Sequence, residues 1–132
     1  MTPGPVDDKT LPTPDPASVQ IVRTYGPGRF LIGEREWREP VLVTPTATAP
    51  LGIARAEDLT PETLAFLKTL PTPTELLVLG CGARAIFVPP MQRAALKAAG
   101  LGLEVVDTGS ACRIYNVLVA ESRRVAAALI PL

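Results

Sequence analysis

Glu75-Leu-Leu-Val-Leu-Gly80 is a short, unbroken apolar run that ends on a glycine, and its reading decides the fold. Consecutive apolar positions mark a strand covered on both faces, as in the middle of a parallel sheet. Outward from it the chain alternates strand and helix signals. Gly80-Cys81-Gly82 is a turn, and Ala85-Ile-Phe-Val88 reads as another short strand. Pro90 opens a helix over Met91 to Ala99, Gly100 is placed to cap it, and Leu101 can pack back on Leu96 in a Schellman contact. Leu103-Glu-Val-Val106 is the next strand. This alternation specifies an α/β sheet, mainly parallel.

The last quarter, from Asp107 to Leu132, holds a helix start, a helix and an apolar run that reads as a closing strand. Thr108 or Ser110 suits the N-cap. Ala111, Ile114, Tyr115 and Leu118 share one helical face and are expected in the core. Glu121 and Arg124 have the spacing of a surface ion pair.

Upstream, the pattern is that of an antiparallel β region. Val19 to Tyr25 alternates, Gly26-Pro27-Gly28 turns, Arg29 to Ile32 extends again, and Glu34 to Arg38 alternates around Trp37. Pro40-Val-Leu-Val-Thr44 follows, then a loop from Pro45 to Pro50. Thr60 and Pro61 open a helix with Leu64, Leu67 and Leu70 as its inner stripe, and Pro71 and Pro73 stop it. Trp37 is either a core residue or an exposed anchor at the centre of an apolar patch.

Residues 1–18 contain five prolines among glycine and charged side chains, too little apolar surface to offset ordering, and are expected to form a disordered tail. Residues 19–132 are expected to form a single α/β domain. The 132-residue chain has a net charge of zero, so it offers no electrostatic footprint for nucleic acid. Two cysteines do not make a disulfide scaffold. Histidine is absent, which removes histidine-based catalysis and histidine-ligated zinc. No metal site or cofactor is expected, and the chain reads as a non-enzyme. No run approaches the roughly eighteen apolar residues of a membrane span, and nothing resembles a signal or transit peptide. A cytoplasmic location is expected.

Three features can carry chemistry. Gly80-Cys-Gly-Ala-Arg-Ala85 has the spacing of a dinucleotide loop, but a strand rather than a helix is expected to follow it. Cys112 in the first helical turn, beside Arg113, has the placement that favours a thiolate, against the simpler reading of a buried thiol. Thr108, Gly109 and Ser110, with Arg113, form a helix start suited to an anion, unless Asp107 or Glu104 pairs with Arg113. Asn116 is expected to cap loop backbone, the glycine turn being one option. The candidate ligand-binding set is therefore Gly80, Cys81, Gly82, Thr108, Gly109, Ser110, Arg113 and Asn116.

The segment Asp107-Thr-Gly-Ser-Ala-Cys-Arg-Ile-Tyr-Asn-Val-Leu, with Glu121-Ser-Arg-Arg-Val-Ala-Ala-Ala-Leu129, Gly80-x-Gly82 and Gly100-Leu-Gly-Leu-Glu-Val-Val106, resembles the complex I assembly factor 3 family. The resemblance covers residues 19 to 131. It implies a three-layer α/β fold, with a central mixed five-stranded sheet, flanking helices and an extra N-terminal antiparallel β layer. It also implies a non-catalytic role in assembling respiratory NADH dehydrogenase, with a respiratory-chain subunit or assembly factor as protein partner; without a recognisable transit peptide, a bacterial member is expected. Ile114 stands where the family commonly has threonine, and Cys81 where it often has threonine.

Overall fold

The computed structural model describes residues 19–132; the expected proline-rich tail, 1–18, lies outside the described residues. Alternating side chains build three antiparallel strands, β1 (Val22–Gly26), β2 (Arg29–Ile32) and β3 (Arg35–Trp37), which form a small sheet in that order. Gly28 and Gly33 turn the chain between them at φ of 70° and 59°, a region that residues with a Cβ rarely enter. Trp37 points inward and is 6% exposed, so it is a core residue.

A second sheet begins with β4 (Val41–Val43) and β5 (Thr48–Pro50). β5 forms inside the stretch expected to be a loop. Pro50 is tolerated there because β5 is an edge strand, where a missing N–H costs no ladder bond.

The helix expected here forms over Glu62–Thr69 and winds as a 3-10 helix. Thr60 marks its entrance: its Oγ1 accepts the Thr63 N–H at 3.3 Å, and Thr63 Oγ1 accepts the Thr60 N–H at 3.1 Å. The three-residue spacing of Leu64, Leu67 and Leu70 aligns them on one edge of a 3-10 helix, where side chains at i and i+3 eclipse. Leu64 and Leu67 are buried, and Leu70 packs partly buried beside them.

The C-terminal half then runs β6 (Leu76–Gly80), α1 (Pro90–Ala98), β7 (Gly102–Val106), α2 (Thr108–Ala120) and β8 (Val125–Leu129). The Schellman end of α1 forms as expected. Leu101 N–H donates to the Leu96 carbonyl at 3.0 Å and Gly100 N–H to the Lys97 carbonyl at 2.9 Å, with Gly100 at φ 87°. The strand expected over residues 85–88 is absent: that segment is irregular and leaves Phe87 80% exposed. β6 already has β7 and β8 on its two sides, and Pro89-Pro90 cannot donate to a ladder.

The five-stranded sheet has the order β5-β4-β8-β6-β7. β8, β6 and β7 are parallel, and β4 is antiparallel to β5 and β8. It is therefore mixed, as the family resemblance implies. Period-two alternation divides its side chains between two cores. Leu42, Leu77, Leu79, Ala126 and Ala128 face α1 and the 3-10 helix. Val41, Val43, Val78, Ala127 and Leu129 face α2 and the small sheet. Three layers result.

Candidate functional site

The helix start at the carboxyl end of β7 is capped by Asp107, not by Thr108 or Ser110. Its Oδ1 accepts the Ser110 N–H at 2.9 Å and its Oδ2 accepts the Ser110 hydroxyl at 2.7 Å. Those bonds hold the Asp107 carboxyl below the usual carboxylate range. A carboxylate thus sits at the positive end of α2 already.

With the cap supplied by Asp107, Thr108 serves a different purpose. Its hydroxyl donates to the Ile130 carbonyl at 2.6 Å and accepts the Gly82 N–H at 2.8 Å. Its own N–H reaches the Gly82 carbonyl at 2.9 Å, and Ile130 N–H donates to the Gly80 carbonyl at 2.9 Å. The glycine turn, the start of α2 and the residues after β8 therefore meet at one corner. Two glycines make that approach possible. A Cβ on Gly80 would lie 3.0 Å from Ala111 Cβ and from Thr108 Cα, and one on Gly109 would lie 2.9 Å from the Tyr25 hydroxyl. The turn does not open a helix, since α1 starts only at Pro90, so the arrangement a dinucleotide needs is missing.

Arg113 is exposed and makes no ion pair with Asp107 or Glu104; its Nη1 donates to the Tyr25 hydroxyl at 3.0 Å. Asn116 does not cap the glycine turn. It holds the edge of the small sheet: its Nδ2 donates to the Val22 carbonyl at 2.8 Å, and its Oδ1 accepts the Val22 N–H at 3.1 Å. One residue earlier, the Tyr115 hydroxyl donates to the Gln20 carbonyl at 2.7 Å. Burial pushes that phenol well above its ordinary pKa. Tyr25, which touches both Gly109 and Arg113, escaped the sequence reasoning because no local pattern distinguishes it from a core tyrosine.

Cys112 lies one residue beyond the first turn, is fully buried, and has its thiol pushed up to about 12 by burial. The first-turn placement expected from the sequence is thus corrected, and desolvation outweighs both the dipole and Arg113. Burial also raises the thiol of the half-buried Cys81. The attacking species in cysteine chemistry is the thiolate, which neither environment favours.

Other surface expectations change as well. α2 ends at Ala120, Ser122 turns the chain at φ 59°, and Arg124 pairs with Glu75 instead of Glu121. Trp37 is buried and anchors no exposed patch; of the large apolar side chains exposed among the described residues, the two most exposed, Phe87 and Met91 at 80% and 86%, stand at the entry to α1. Among the described residues, no three acidic or cysteine side chains converge as a metal site. No helix there is long and apolar enough to cross a membrane.

A family model described as "Protein of unknown function (DUF498/DUF598)" matches residues 22–130. A Xenopus tropicalis protein named NADH dehydrogenase (ubiquinone) 1 alpha subcomplex assembly factor 3 is 33% identical over 89% of this chain. The chain spans 64% of that relative's length, just under two thirds. An uncharacterized protein of Rhodobacter capsulatus is 38% identical, with 82% of each chain covered. Among solved structures, a Bordetella parapertussis protein superposes with a TM-score of 0.78 at 32% identity, covering 88% of this chain and 98% of that one.

Proposed function

The chain belongs to the DUF498/DUF598 family, and from that premise we propose that it is a non-catalytic assembly factor acting by protein contact. Its partner on this proposal is a respiratory-chain subunit or a second assembly factor, in the cytoplasm of a bacterium. The name of the Xenopus relative and the identity to the Rhodobacter capsulatus protein support this. The observation that carries it is how the polar and thiol side chains along α2 are used. Thr108, Ser110, Tyr115 and Asn116 are all spent on hydrogen bonds within the fold, and Cys112 is sealed beneath them.

A small anion held between the glycine turn and Arg113 is less well supported. Arg113 is exposed and makes no ion pair with a described carboxylate, which favours it. Against it, the Asp107 carboxylate already occupies the positive end of the helix, and Tyr25 covers Gly109. Affinity capture of the tagged full chain from its native cells, followed by mass spectrometry, tests the assembly proposal. A subunit of NADH dehydrogenase or an assembly factor is expected; recovery of neither overturns it.

A further inference from the structure

The two edges of the five-stranded sheet are finished differently. β5 is three residues long and ends in Pro50, the kind of short, proline-blunted edge that resists further pairing. β7 has five residues, no proline and no lysine, and its positions are all at least partly exposed. The phase of its ladder is fixed by Gly102 N–H donating to Glu75 and Cys81 N–H donating to Val106. In a parallel pair, bonding residues alternate. Gly102, Glu104 and Val106 thus spend their backbone groups on β6, while the N–H and C=O groups of Leu103 and Val105 point outward. No described residue takes them.

Beside that edge runs a cleft of about 450 Å³ between α1 and β7, floored by Ala94, Leu101 and Leu103 and flanked by Arg93 and Lys97. Neither cation is ion-paired with a described residue. They stand one helical turn apart, a rise of about 6 Å along α1. Alternate side chains on a strand are about 6.7 Å apart. Two carboxylates at alternate positions of an added strand therefore match the two cations. A second copy of this chain fits poorly. Antiparallel pairing of two β7 strands about a two-fold axis would bring both α1 helices to one face, setting Arg93 and Lys97 against their own copies. Near the same axis the two Glu104 side chains would approach each other on the opposite face.

We propose that β7 is a docking edge for an extended segment of another protein. The segment adds as a sixth strand and presents acidic side chains at alternate positions to Arg93 and Lys97. This deepens the assembly proposal by naming the surface and the chemistry of the partner. It is tested on the full chain with two fluorescent peptides, one alternating valine with glutamate and one alternating valine with lysine. The glutamate peptide is expected to bind at least about tenfold more tightly. Binding should also slow hydrogen exchange at the Leu103 and Val105 amides, and weaken as salt rises.

Val105→Pro removes one outward N–H without touching the β6 ladder and should abolish binding. Should that variant fail to fold, the double variant Arg93→Glu, Lys97→Glu carries the test on an exposed helix face, with the preference reversed towards the lysine peptide. The proposal is overturned by no binding, by equal binding of the two peptides, or by glutamate preference surviving in the double variant. A dimer whose Leu103 and Val105 amides are protected before peptide is added also overturns it. If the double variant still captures respiratory subunits from cells as the unaltered chain does, the edge is wrong and the assembly role stands.

Discussion

The two faces of the five-stranded sheet are closed by different means. On the α1 face the seal is mainly aliphatic, with Leu42, Leu77 and Leu79 against Leu59, Leu64 and Leu96. The α2 face is just as apolar at its centre, yet it adds buried polar bonds from Thr108, Tyr115 and Asn116. The difference follows from what each face must hold. Helices satisfy their own backbones, so α1 needs only grease. The small sheet arrives as a separate ribbon whose edge, β1, presents backbone groups to the interior, and a buried group without a partner costs about 1–3 kcal/mol. The amide of Asn116, with one donor and one acceptor, meets Val22 as a neighbouring strand would.

Substitutions can break that contrast. The largest effect is expected from Asn116→Ala, which orphans both Val22 backbone groups and should cost about 4 kcal/mol. Hydrogen exchange should then show the small sheet losing protection while β6 and α1 keep theirs; uniform loss would mean that the two faces do not separate. Leu96→Ala, on the aliphatic face, should cost about 3 kcal/mol in chemical denaturation through the cavity it leaves, without selective loss in the small sheet. Thr108→Val removes a hydroxyl that bridges Gly82 and Ile130 and should cost about 2 kcal/mol, read as a lowered thermal midpoint. Tyr115→Phe, which leaves only the Gln20 carbonyl unmet, should cost about 1 kcal/mol.

The smallest effect is one of pH. The native Cys112 thiol stays protonated up to about 12, whereas an unfolded thiol ionises near 8.5. The unfolded state then binds fewer protons, so stability is lost as pH rises from roughly 8.5 towards 12. Cys81 and Tyr115 shift the same way, so the Cys112 share is read by difference. Denaturation at pH 8 and pH 9 should show a fall smaller by about 0.7 kcal/mol in Cys112→Ala.

What was legible in the sequence shares a physical basis: short-range chemistry. The Schellman end at Gly100, the Thr60 entrance, the Leu76–Gly80 strand and the Ala-rich β8 depend on neighbours within a few positions. One detail that was not read and one that was misread each had a visible signal. The strict spacing of Leu64, Leu67 and Leu70 suits a 3-10 helix, and Asp107, three residues before Ser110, is a better N-cap than Thr108. The missing strand at residues 85–88 needed knowledge that both sides of β6 are taken, which is a property of topology. At the candidate site, Gly82 and Thr108 stood in one candidate set, but their contact is seen only in the fold. The partners of Asn116 and Tyr115 did not, because they lie 94 and 95 positions away along the chain.

Trp37 is the chain's single tryptophan, and it sits in the small sheet with the Arg35 guanidinium 3.9 Å above its ring. Its indole N–H is buried and has no partner among the described residues. The consequence is optical. Tryptophan emission from this protein, excited at wavelengths that tyrosine does not absorb, reports on the ribbon that Asn116 holds, while circular dichroism at 222 nm follows the helices. Detachment of the ribbon from an otherwise intact molecule would shift the emission to longer wavelength before the helical signal falls, so a spectrometer alone can distinguish losing one layer from losing the fold.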